Sequence, residues 1–113
     1  MSQHYFSTVY DGKPVTVILG WDRPLQGYFL VIEDDSKADS VEEVFIYSNL
    51  LDENLTGSKL TKNLDYFTNC ILKGLDIFVP VAIFQNVIAD SASNIGNKVC
   101  RYHLDGGKLI SSC

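Results

Sequence analysis

Through the first half of the chain, apolar side chains alternate with polar ones or run together in short blocks. Tyr5 to Tyr10 is aromatic and β-branched, and Val15 to Leu19 answers it across Asp11-Gly12. An Asp-Gly pair between two such runs predicts a hairpin, because a type I′ turn needs positive φ at both central positions. Pro14 opens the returning strand, where a missing N–H is tolerated. Gly20 to Gly27 reads as a connection with Pro24 inside it. Tyr28 to Glu33 predicts a third strand, Asp34 to Ser40 a polar loop, and Val41 to Tyr47 a fourth strand.

The period then changes. Leu60, Leu64, Phe67, Ile71 and Leu75 recur at spacings of 4, 3, 4 and 4, one face of an amphipathic helix. Ser58 is placed to cap its start and Gly74 to end it. A second helix is expected from Pro80, whose fixed φ suits a first helical position, with Val81, Phe84, Val87 and Ile88 as its apolar side. It should fray between Asp90 and Ser93. Lys98 to Leu104 alternates and predicts a fifth strand, followed by a turn at Asp105-Gly106-Gly107 and a tail or short edge strand from Lys108 to Cys113.

Strands followed by helices predict an α+β fold. The expected arrangement is a single domain over residues 1–113, β-β-β-β-α-α-β: an antiparallel four- to five-stranded sheet with a helical hairpin packed on one face. Two short helices cover one sheet face. Yet Phe29 and Val31 are apolar opposite Tyr28, Leu30 and Ile32, and Phe45 and Tyr47 opposite Val44 and Ile46. A solvated face would carry polar residues. The second face is therefore expected to be closed by curvature, paired with another chain as a homodimer, or used as a binding groove.

Composition narrows the classes. At 113 residues and 46% hydrophobic, the chain is long and apolar enough for a real core. The longest apolar run, Leu75 to Ala89, is interrupted by Asp76, Pro80, Gln85 and Asn86, so no membrane helix is expected. Met1 to Tyr5 lacks a signal-peptide pattern, which makes a cytoplasmic location the expectation. Cys70, Cys100 and Cys113 form an odd, sparse set that reads neither as a disulfide framework nor as a zinc site. Residues 1–56 hold ten acids and three bases, residues 57–113 four acids and six bases, and neither half offers the dense basic surface that nucleic acid needs. Glu33 to Glu43 alone holds six acids and one base, which equals the net charge of −5 for the whole chain.

Candidate chemistry is sparse. Phosphate loops, nucleophile elbows and zinc-protease motifs are absent, and no cofactor is implied. The Gly20–Gly27 segment holds the only Trp and one of two Arg residues. Trp21 offers an apolar platform and Arg23 a fork for a carboxylate or phosphate, both residue types enriched at binding hot spots. Structural readings stand beside these: Trp21 as a core cap, Arg23 paired with Asp22, the acidic stretch as a solvated loop. Cys100 and His103, three apart on one strand, should face opposite ways and so form no catalytic pair.

The expected function is non-enzymatic binding of a protein partner, through Trp21, Asp22, Arg23 and Tyr28 with Asp34, Asp35 and Asp39 of the acidic stretch. One alternative is a small-ligand site or small enzyme beside the Gly20–Gly27 loop, with Arg23 as anion anchor and Asp22 as base. Another is an acidic antagonist of a basic partner, steered by the Glu33–Glu43 stretch.

Overall fold

A computed structural model describes residues 1–35 and 45–113. Its strands are β1 (Ser2–Tyr10), β2 (Lys13–Asp22), β3 (Gly27–Asp34), β4 (Phe45–Ser48), β5 (Lys98–Asp105) and β6 (Lys108–Ser112), and α1 spans Val81–Ala92. They form one six-stranded sheet in the order β4-β3-β2-β1-β5-β6. The β1–β2 turn carries Asp11 and Gly12 at φ of 52° and 75°, the left-handed pair that a type I′ hairpin requires.

The expected all-antiparallel sheet with a helical hairpin does not form. The sheet is mixed, because β5 runs parallel to β1, with His4 beside Cys100 and Tyr5 beside Arg101. The chain leaves β4, crosses the sheet through α1, and returns beside β1 pointing the same way. The parallel pair is thus not a simple strand–helix–strand unit, since β1 and β5 are joined through β2, β3, β4 and α1.

Only one of the two expected helices is present. The Leu60–Leu75 stripe is broken at its start by tertiary pairing. Thr61 exchanges backbone hydrogen bonds with Tyr28, at 2.8 and 3.1 Å, and so lies extended beside β3. Lys59 has φ of 64°, which no helix accommodates. Helical geometry begins only after Asn63, whose side-chain oxygen accepts from Asp65 N. It then widens into a short π-type segment, Phe67–Leu72, in which Lys73 N donates to Thr68 O five residues back. The left-handed residue that follows is Asp76 (φ 56°) rather than Gly74.

The sheet is therefore covered on one face, by α1 and the π segment. Phe6, Val17, Leu19, Leu30 and Ile32 point up from the strands; Phe67, Leu72, Ile83 and Val87 point down to meet them. Each such side chain contributes ~1.5–3 kcal/mol when fully buried. The buried stripe of α1 is Ile83, Val87 and Asp90, while Val81 and Ile88 of the expected stripe face outward. The cysteine reading also changes. Cys100 and Cys113 are joined by a disulfide that ties β6 back to β5, and Cys70 is free and exposed.

Gly20 matters through close approach. A Cβ there would lie 2.0 Å from the backbone oxygen of Ser2 and 2.3 Å from the Phe29 ring. The ring can swing away, but the backbone of a paired strand cannot. Gly20→Ala should cost about 2 kcal/mol or more. An unchanged urea midpoint in that variant would contradict this packing.

Candidate functional site

Among the described residues, two polar constellations and one open surface are the features that could carry function. The first constellation lies under α1. Ser2, His4 and Phe6 alternate onto the covered face of β1, and Cys100 and Tyr102 onto that of β5. Asp90 follows Ile83 and Val87 at helical spacing, so its carboxylate is driven into the core. His4 Nε2 lies 2.5 Å from Asp90 Oδ2, and His4 Nδ1 lies 2.7 Å from the Tyr102 hydroxyl. Asn86 Nδ2 donates to the same hydroxyl at 3.1 Å, and Lys98 Nζ to Asp90 Oδ1 at 2.9 Å.

The donors and acceptors assign the tautomer. Tyr102 accepts from Asn86 and donates to His4 Nδ1, which leaves Nε2–H to donate to Asp90. A neutral imidazole thus satisfies the chain, with Lys98 as the counter-charge of Asp90. Burial alone would raise the Asp90 pKa, but the hydrogen bonds from His4 and Lys98 outweigh it and hold the carboxyl below its usual value. Burial pushes the Tyr102 phenol up, which keeps it a donor. The order of groups resembles an acid–base–hydroxyl relay. His4 is fully buried, however, and the hydroxyl belongs to a buried Tyr, so the relay holds a helix to a sheet.

The second constellation braces β4. Tyr47 and Tyr66 both donate to Asp52 Oδ2, at 2.7 and 2.6 Å, and Asn54 N donates to Oδ1 at 2.8 Å. Lys59 Nζ caps the carbonyls of Asp52 and Leu55. Desolvation opposes the Asp52 charge, yet the two phenols hold its pKa below the usual value. Burial and then Asp52 raise Tyr47, while Asp52 and then burial raise Tyr66. The carboxylate therefore stays charged and the phenols stay protonated. This clasp ties β4 and its following turn to the residues ahead of the π segment.

The open face of the sheet is built differently. Register places Arg101, Tyr5, Ile18 and Val31 in one row across β5, β1, β2 and β3. The next row holds Ser7, Thr16 and Glu33, with Phe45 beyond on β4, and His103 lies two residues past Arg101 on β5. A trough of about 370 Å³ runs along this face, with Tyr5, Ile18, Phe29, Val31, Phe45 and Leu60 in its lining. Arg101 lies across Tyr5, its guanidinium carbon 4.6 Å from the ring centroid. Val99 and Phe45 on this face remain 47% and 42% exposed.

The residues singled out from sequence do not gather into one site. Trp21 and Tyr28 are cross-strand partners and both are buried in the core. Asp22 lines the trough, while its Oδ1 accepts from Leu25 N within the four-residue turn. Arg23 is exposed in that turn. Asp34 is buried, and exposed Asp35 accepts from the Thr16 hydroxyl at 3.0 and 2.9 Å. Asp39, with most of the acidic stretch, lies outside the described residues. Sequence reasoning missed His4, Asp90, Tyr5 and Arg101. An acid at the next helical position after Ile83 and Val87 was the available signal for Asp90. Among the described residues, no group of three or more His, Cys, Asp or Glu is arranged to hold a metal, and no helix is long and apolar enough to cross a membrane.

Comparison with protein-family models, curated proteins and solved structures found no match, so the functional reading rests on this geometry.

The Asp90 anchor has a testable consequence. Its folded pKa is depressed, so its contribution is present above the usual carboxylate value and is lost as pH falls through the folded value. Asp90→Asn should cost about 2–4 kcal/mol near neutral pH, since it leaves Lys98 and His4 poorly matched in the core. Chemical denaturation across pH should show that gap narrowing in acid. A gap of constant size down to about pH 2 would contradict the assignment.

Proposed function

We propose that this protein is a non-enzymatic interaction domain that binds another protein through the open face of its sheet. The observation that carries the reading is a six-stranded sheet that, among the described residues, has its helical cover on one face, while the other carries half-buried Tyr5 and Val31 and exposed Phe45 around a broad trough floored by buried Ile18 and Phe29. A monomer that kept this face in water would gain from polar residues there. Apolar centre and charged margin are the usual anatomy of a protein-binding patch.

The buried His4–Asp90 pair supports the non-enzymatic side of the reading, because no substrate atom can approach an imidazole enclosed on all sides. The trough is open to solvent along the sheet, which suits a protein surface better than a small ligand held on most sides. The Cys100–Cys113 bond is of a kind that persists in oxidising surroundings, and it weighs against the cytoplasmic location expected from sequence.

The reading is tested with a photo-crosslinking amino acid placed at Val31 on the open face or at Val81 on the outer side of α1. In the native cellular setting, Val31 should yield a protein adduct that Tyr5→Glu abolishes, and Val81 should yield none. No adduct at Val31, or equal adducts at both positions, would overturn it.

A further inference from the structure

The open face is not uniformly charged, and the way its charges divide identifies what it binds. Its β5 side carries Arg101 and His103, both exposed. The opposite side carries Glu33 on β3, with Asp35 held beside it through Thr16. Between them lie Tyr5 on β1 and Ile18 on β2. Across β5, β1, β2 and β3 one row runs Arg101, Tyr5, Ile18 and Val31, and the neighbouring row runs Ser7, Thr16 and Glu33 on β1, β2 and β3, so Arg101 stands at one side of the face and Glu33 at the other.

A surface divided this way is complementary to itself. Consider a two-fold axis lying in the interface, parallel to the strands and passing between β1 and β2. Rotation about it turns a second copy face down and exchanges left for right. β5 of each copy then lies across β3 of the other, and β1 across β2. Arg101 and His103 come over Val31 and Glu33 of the second copy, and Tyr5 comes over Ile18. Each contact occurs twice, as an isologous interface requires. Sheets stacked in this way keep their strand directions within about 30° and pack ~10 Å apart. Arg101 is laid across Tyr5 of its own chain, at the margin of the apolar strip, which holds its guanidinium on the face that the second copy would meet.

We infer that the occupant of the open face is a second copy of this chain, packed sheet to sheet about a two-fold axis, with Arg101 of each copy over Val31 of the other and reaching to its Glu33 in the neighbouring row. The inference rests on reading the open face as a protein-binding surface. It adds the partner and the register.

The experiment is sedimentation equilibrium on the purified oxidised protein, on Arg101→Glu, on Glu33→Arg and on the double variant. The wild type should approach about 25 kDa, twice the 12.6 kDa of one chain. Each single reversal sets like charges against each other and should weaken the dimer roughly tenfold or more. The double variant restores opposite charges and should recover most of the loss. Thermal unfolding of the four proteins as monomers checks that they fold alike, and Glu33→Gln supplies a milder variant that should fall between wild type and reversal. A wild type that stays monomeric up to about 0.5 mM overturns the inference. So does a dimer that ignores both reversals, or one the double variant fails to rescue. A monomer that still yields a Val31 adduct with some other protein would refute the second copy while leaving the open face as a binding surface. A monomer with no adduct would refute both.

Discussion

One charged hydrogen-bond network determines how this molecule is divided into a closed side and an open side. The helix Val81–Ala92 has only two fully buried aliphatic side chains, Ile83 and Val87, with which to hold itself on the sheet. Asp90 supplies the third point of attachment one turn later. It is an expensive choice, since a buried carboxylate must recover its hydration from protein donors. His4 and Lys98 supply them, and Tyr102 and Asn86 complete the chain back to the same helix. An apolar residue at position 90 could slide along the sheet. A carboxylate matched to two donors on β1 and β5 cannot, and it fixes the phase of the helix. Because α1 is the crossover between β4 and β5, that phase also fixes where β5 returns.

The consequence is an asymmetric use of apolar surface. Core side chains are concentrated between the sheet and its single cover, and the Asp52 clasp keeps β4 within that arrangement. The other face receives no α-helix of the described chain, only Leu25, Leu50 and Leu60 at one side of the trough. It still carries aromatic and β-branched residues, because alternation along β1, β2 and β3 sends Tyr5, Ile18 and Val31 there. Gly20 lets β1 and β2 approach while the Phe29 ring lies over the gap. The trough, its charged margins and its proposed occupant all follow from this division. The proposed binding function rests on the side that the described fold leaves without a helical cover, and the polar network that looks most like chemistry serves as the anchor.

Much of this was legible in the residues, with identifiable gaps. Asp11-Gly12 declared its turn because few residue pairs tolerate two positive φ values. Phe29 and Val31 declared a second apolar face because strand alternation is strict. The Gly20–Gly27 segment misled because glycines at its ends suggested a loop, whereas Gly20, Trp21 and Asp22 continue β2. The helix expected from Leu60 failed because Thr61 is captured by Tyr28, a long-range pairing that no local period reveals. The stripe of α1 was misphased because Val81 and Ile88 are as apolar as Ile83, and polar Asp90 belongs to the buried side. The parallel pairing of β5 depends on the crossover and leaves no mark on its alternation. Three cysteines could not declare which two would meet.

The most direct test of the division is methyl NMR with a soluble paramagnetic relaxation agent, recorded over a range of protein concentration. Val31, Val99 and Leu50 report the open side; Val81 and Ile88 report the outer side of α1. The account expects all five methyl groups to be broadened in dilute protein. As concentration rises, the first three should become protected while Val81 and Ile88 stay broadened. Equal broadening of all five at every concentration, or protection that appears first at Val81 and Ile88, would contradict it.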